Sequence, residues 1–167
     1  MKQAQGIEVK KKYGQHFLRK QSVADHMLDA VSLDQSTSVL EIGCGDGFLT
    51  KTILQKSIAR LWVFEIDPEW VAYIKKTVPD DRLTVFEQNI LDIDSAVLQP
   101  HKPWTFLSNI PYSITFPILH LVHTHRELFA EGVVMVQEEV AQKILKTSGR
   151  GYRLISLFFQ PYLEWKP

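Results

Sequence analysis

Two groups of residues in this chain are of types and spacings that do chemistry. The first is Gly43, Gly45 and Gly47 within Glu41 to Thr50, EIGCGDGFLT, followed 22 residues after Gly43 by Glu65. Glycines so close together allow a tight turn whose bare main chain can lie against a flat ligand. The spacing is not that of a dinucleotide fingerprint, and no Lys-Ser/Thr pair follows as in a phosphate loop. An acid at the end of the next apolar run can accept both hydroxyls of a ribose, and a free diol without phosphates suits S-adenosyl-L-methionine. A plain glycine turn is the alternative reading. The second group is Asn109-Ile110-Pro111-Tyr112. An exocyclic amine on a base is a poor nucleophile because its lone pair is delocalised into the ring. Two acceptors on its N–H groups favour the pyramidal form that attacks. The Asn109 side-chain oxygen and the Ile110 carbonyl, aimed by Pro111, are of the right type, with Tyr112 to stack on the base. A proline turn with Tyr112 in the core is the plainer alternative.

These groups need elements to position them. Val39, Leu40 and Ile42 read as a buried strand leading into the glycines, and Phe48 to Leu54 as the helix leaving them. Ser22 is expected to cap a helix carrying Val23, Met27, Leu28 and Val31. Leu61 to Ile66 reads as a second strand, Asp67-Pro68 as the start of a helix to about Lys76, and Leu83 to Phe86 as a third strand. A polar turn follows at Glu87 to Ile90. Trp104 to Ser108, a helix from about Phe116 to His123, Val133 to Val136, a helix from Glu138 to Leu145 and a last strand at Ile155 to Tyr162 complete the series. Alternating strands and helices with short connections predict an α/β doubly wound, mostly parallel sheet, whose strand ends hold the ligand. Residues 1–12 are expected to form a flexible basic arm, and 13–167 a single domain. Gln15 and His16 read as reaching a ligand while Phe17 and Leu18 anchor the segment, or equally the whole stretch reads as a plug on the core.

The chain has 167 residues, 45% of them hydrophobic, and no net charge. Its charge is nevertheless uneven. Lys10, Lys11, Lys12, Arg19 and Lys20 at one end, and Arg150 and Arg153 at the other, make two basic patches suited to a polyanion, with a simply solvated surface as the alternative reading. Alanine at Lys10, Lys11 and Lys12 is expected to flatten the salt dependence of such binding. Cys44 is the sole cysteine, so neither an internal disulfide nor a cysteine zinc cluster is expected. His120, His123 and His125 cannot all be aimed at one point from one helix, and no metal site is expected. With no membrane-spanning stretch, the expected setting is cytoplasmic.

EIGCGDGFLT, GQHFL, NIPYSIT and MVQEEVAQKI together resemble the ribosomal RNA adenine N6,N6-dimethyltransferase family over nearly the whole chain. The resemblance implies a class I S-adenosylmethionine-dependent methyltransferase (Rossmann-like) fold. It implies dimethylation of adenines in ribosomal RNA during small-subunit biogenesis, with S-adenosyl-L-homocysteine as product. GQHFL and MVQEEVA look more like the small-subunit branch than the erythromycin-resistance branch that modifies the large subunit. Cofactor contacts are then expected from Gln15, His16, Leu18, Gly43, Gly45, Glu65, Ile66, Asn89, Ile90 and Asn109. Where the family usually has Asp to accept from the cofactor's adenine amine, this chain has Asn89. A neutral acceptor is weaker, so Asn89→Asp is expected to tighten binding. The family continues beyond the final strand with an antiparallel strand and a helical RNA-binding domain, absent after Pro167. A monomer with an incomplete sheet edge open to self-association is expected. The rival readings are a ribosome-assembly module that binds RNA without catalysis, and an amine methyltransferase acting on DNA or protein.

Overall fold

The computed structural model describes residues 3–8, 10 and 17–145. The sequence readings at Lys11, Lys12, Gln15, His16, Arg150, Arg153 and the strand at Ile155 to Tyr162 lie outside the described residues. The chain divides into two compact units, Met1–Met135 and Val136–Pro167, where sequence alone reads one domain from 13 onward.

The first unit begins with a two-stranded antiparallel hairpin, β1 (Gln3–Ala4) and β2 (Ile7–Glu8), inside the stretch expected to be a flexible arm. Gln5 and Gly6 both have positive φ, 52° and 79°, the geometry that joins twisted strands through two residues. Strands of two residues carry no readable alternation, so sequence misses them. Helix α1 (Gln21–Asp29) follows; Lys20 sits at its N-cap with no side-chain cap bond. Ser22 is therefore inside the first turn and does not cap. Ala24, Met27 and Leu28 are its buried stripe.

Next come β3 (Ser38–Ile42), α2 (Phe48–Leu54), β4 (Arg60–Glu65), α3 (Pro68–Thr77) and β5 (Leu83–Glu87). β6 (Trp104–Asn109), α4 (Thr115–Thr124) and β7 (Phe129–Met135) follow. The strands form one parallel sheet in the order β5-β4-β3-β6-β7. β7 starts four residues before the apolar run at Val133, because its first half alternates with polar residues and Glu131 instead accepts from the Ser32 amide at 2.6 Å. Asp67 caps α3 as its sequence predicts, accepting from the Glu69 amide at 3.2 Å, with Pro68 in the first turn.

Alternation along the strands sorts the core into two layers. Val39, Leu61, Val63 and Leu107 join one cluster with Met27, Leu49, Ile53 and Ile74 from α1, α2 and α3. On the opposite face lie Trp62, Phe64 and Trp104, with ring pairs Trp62–Trp104 at 4.9 Å and Phe64–Phe86 at 4.7 Å. The Trp104 indole donates to the Leu98 carbonyl at 2.8 Å, so even this buried polar atom is satisfied.

Arg82 ties the far end of the sheet. Its guanidinium donates to both Asp80 carboxylate oxygens and to the Leu54 and Lys56 carbonyls, the latter at 2.6 and 2.9 Å. Arg82→Ala removes these bonds at the C-terminal end of α2 and is expected to cost about 1–2 kcal/mol in urea unfolding, with the cofactor crevice untouched.

In the second unit, α5 (Glu138–Leu145) carries Glu138 and Glu139 in its first turn, where the helix dipole favours acids, and Gln142 donates to Glu138 at 2.8 Å.

Candidate active site

The chain runs outward from β3 through β4 to β5, then returns to lay β6 on the other side of β3, so the order reverses between β3 and β6. That reversal opens a crevice at the strand ends. Its opening is visible in the ladder: β3 and β6 pair only from Ser38↔Trp104 to Leu40↔Phe106. Beyond that, the Ser108 hydroxyl donates to the Ile42 carbonyl at 2.8 Å and the strands part. On the other side β3 stays attached to β4, because the Gly43 amide donates to the Phe64 carbonyl at 2.9 Å.

The glycine loop and the Asn109 segment meet across this gap. Gly43 has φ 75°, and a Cβ placed on it would lie 3.2 Å from Pro111 Cγ. Gly45 has φ 50°, and its Cβ would lie 2.7 Å from the Phe17 ring. Both positions therefore need glycine for conformation and for space. The result is a crevice between the two segments, partly open to solvent. Leu18, Gly43, Gly45, Glu65, Ile66, Asn89, Ile90 and Asn109, from which cofactor contacts are expected, all line it.

Two expected residues stand apart from its wall. Ile110 is buried at 1% exposure, and its amide donates to the Met135 carbonyl at 3.2 Å. That bond extends the β6–β7 pairing by one residue and fixes the peptide after Asn109. Tyr112 is half-buried at the head of a 3-10 turn, Tyr112–Ile114, and lies outside the crevice lining, whereas Pro111, Ser113 and Ile114 are within it.

Glu65 is the electrostatic centre. Its two oxygens accept from the Gly45 amide at 3.2 Å and the Asp67 amide at 2.9 Å, so one carboxylate orders both the glycine loop and the start of α3. Burial raises its pKa, and the two amides partly counter that. Glu41 lines the same crevice and is a residue that sequence reasoning passed over, although an acid inside an apolar strand is itself a signal. It is 1% exposed and accepts from the Thr50 hydroxyl at 2.8 Å. Burial, reinforced by the charge of Glu65, pushes its carboxyl up to about 8. Burial also pushes the Cys44 thiol well up, which leaves it an inert small side chain beside Glu65.

The N-terminal segment is stapled to this frame. Phe17 packs edge-on against Trp70 at 5.3 Å between centroids, and Arg19 lies over Phe17 while its guanidinium donates to the buried Asp46 carboxylate. Lys10 donates to Asp67 at 2.8 Å and reaches Glu69 at 3.0 Å, and these bonds raise its pKa. Two of the side chains expected to meet RNA thus hold carboxylates of the fold, while Lys20 is exposed.

The family model for ribosomal RNA adenine dimethylase matches residues 6–167. Ribosomal RNA small subunit methyltransferase A of Streptococcus gordonii is 36% identical over 169 residues, covering 96% of this chain and 58% of that protein. A dimethyladenosine transferase from Plasmodium falciparum superposes with a TM-score of 0.74 at 27% identity, covering 87% of this chain and 52% of that one. The 23S rRNA methyltransferase ErmE superposes with a TM-score of 0.67 at 25% identity, covering 77% and 50%. The chain thus spans little more than half the length of these relatives. A methyltransferase α/β fold, the glycine crevice at its switch point and a match over almost the entire sequence lead to one assignment: the chain belongs to the ribosomal RNA adenine dimethylase family.

Proposed function

We propose that this chain is the donor-binding and catalytic portion of a methyltransferase that transfers methyl groups from S-adenosyl-L-methionine to the N6 amine of adenines in small-subunit ribosomal RNA. The observation that carries the reading is the abutment of Gly43 on Pro111, which sets the glycine loop and Asn109 side by side on one crevice. The residues present fit the donor. The floor of the crevice is bare glycine main chain, and Glu65 offers lone pairs to a ribose. When bound, the donor supplies an electrophilic methyl group on a cationic sulfur.

The protein's part is alignment more than proton transfer. Leu18, Ile66 and Ile90 wall the crevice with apolar surface, Gly43 and Gly45 admit the donor against main chain, and Asn89 faces its adenine. Asn109 and the Ile110 carbonyl accept from the target amine, which frees its lone pair for attack, and Pro111 and the Ile110–Met135 bond hold that pair of acceptors rigid. In this reading Tyr112, outside the crevice wall, stacks on the extruded base rather than on the donor. The small-subunit assignment is supported by the S. gordonii relative, and ribosomal RNA as partner implies a cytoplasmic setting. Among the described residues no helix is long and apolar enough to cross a membrane.

Tritiated donor, with unmethylated small-subunit RNA or particles, tests this. Label is expected on adenines of that RNA, with the chain alone or joined to the C-terminal portion of a relative. No label from either form overturns the proposal. Lys11, Lys12, Lys20, Arg150 and Arg153 supply the phosphate contacts in this reading. Since Lys10 is bonded to Asp67 and Glu69, alanine at all of Lys10, Lys11 and Lys12 is expected to flatten the slope of log K against log salt by about 1.4, the value for two contacts to single-stranded RNA. Filter binding from low to moderate salt measures it.

A further inference from the structure

At the rim of the crevice, the Asn89 side chain is held from both sides. Its Oδ1 accepts from the Leu91 amide at 3.2 Å, and its Nδ2 donates to Asp92 Oδ2 at 2.9 Å. Chemistry permits only this orientation, since a main-chain N–H cannot accept and a carboxylate cannot donate. The two partners lie on one 3-10 turn, Ile90–Asp92, for which Asn89 is itself the N-cap. Asp92 is exposed, so its charge costs the fold little, while Asn89 is half-buried and lines the crevice.

We propose that Asp92 is a positioning residue that locks the Asn89 amide with its oxygen toward the donor's purine, so that an Asn–Asp pair reads the 6-amino group. The inference rests on the reading of the crevice as the S-adenosylmethionine site. A carboxylate on Nδ2 polarises the amide and strengthens its oxygen as an acceptor. It also stops the amide from flipping to present an N–H, which would welcome a 6-oxo purine instead. The neutral Asn89 is then not a weakened acceptor but half of a charge-assisted one. The expected effect of Asn89→Asp reverses accordingly: it would set two carboxylates at hydrogen-bond distance with no proton between them, and affinity should fall.

Calorimetry with two probes tests this: S-adenosyl-L-homocysteine, and S-inosyl-L-homocysteine, in which a 6-oxo group replaces the amine. The intact chain is expected to prefer the adenosyl probe strongly. Asp92→Ala should cut that preference about five- to tenfold, the worth of one hydrogen bond, whereas Asp92→Asn, which still accepts from Nδ2, should keep most of it. Asn89→Asp should bind the adenosyl probe more weakly than the intact chain, and Asn89→Asp with Asp92→Asn should recover it. A merely structural Asp92 would weaken both probes alike. An unchanged preference in Asp92→Ala, or tighter binding by Asn89→Asp alone, overturns the Asn–Asp reader while leaving the donor site standing. Failure of the intact chain to bind the adenosyl probe overturns both.

Discussion

Asn109→Ala is expected to lower the rate of methyl transfer about a thousandfold while donor affinity falls less than tenfold. The asymmetry follows from where Asn109 sits. It is the last residue of β6, beside the gap where β3 and β6 part, and it contributes one wall residue among many to the donor crevice. In the proposed reaction its side-chain oxygen accepts from the target amine, and removing a preorganised group that acts on the reacting atom costs about two to three powers of ten. Single-turnover transfer to unmethylated small-subunit RNA measures the rate, and calorimetry with S-adenosyl-L-homocysteine measures the affinity. A variant that loses donor binding and rate in equal proportion would make Asn109 a donor contact only, and would remove it from the chemistry.

The second large effect is on stability against pH. Glu41 unfolded titrates at 4.5 and, buried in the fold, at about 8. Below 4.5 it is neutral in both states and costs nothing. Between the two values the unfolded chain sheds a proton that the folded chain keeps, so stability falls as pH rises, and above about 8 the loss is complete. The loss attributable to this one group is on the order of 5 kcal/mol. Glu65 and Cys44 shift in the same direction, so the wild-type curve alone does not isolate Glu41. Glu41→Gln keeps an oxygen for the Thr50 hydroxyl and removes the titration. Urea unfolding at pH 5 and pH 8 is expected to show a fall for the parent chain that is several kcal/mol steeper than for the variant. Parallel curves would mean that Glu41 is ionised in the folded state at neutral pH.

Much of this molecule is local, and local chemistry is legible. Gly43 and Gly45 take positive φ because glycine has no Cβ to oppose it, Asp67-Pro68 starts α3 because the pair does so on its own, and apolar runs of four to six residues mark the central strands. The misses are equally physical. β1 and β2 are too short to show a period, Ser22 lost the cap position to a main-chain path that sequence does not encode locally, and the first half of β7 is masked by Ala130, Glu131 and Gly132.

From the sequence by itself came the parts: a glycine turn after a strand, an acid after the next, an Asn-Ile-Pro-Tyr segment after another, and the family pattern that unites them. What only the tertiary structure decided was adjacency and commitment. The return of the chain to place β6 beside β3 brings Pro111 against Gly43, although 68 residues separate them. Folding also assigns partners. Lys10 and Arg19, open to RNA when read as letters, hold Asp67 and Asp46, and Asn89 is paired with Asp92. A side chain's type is set by sequence, but what it has left to offer a ligand depends on the neighbours that the packed chain has already given it.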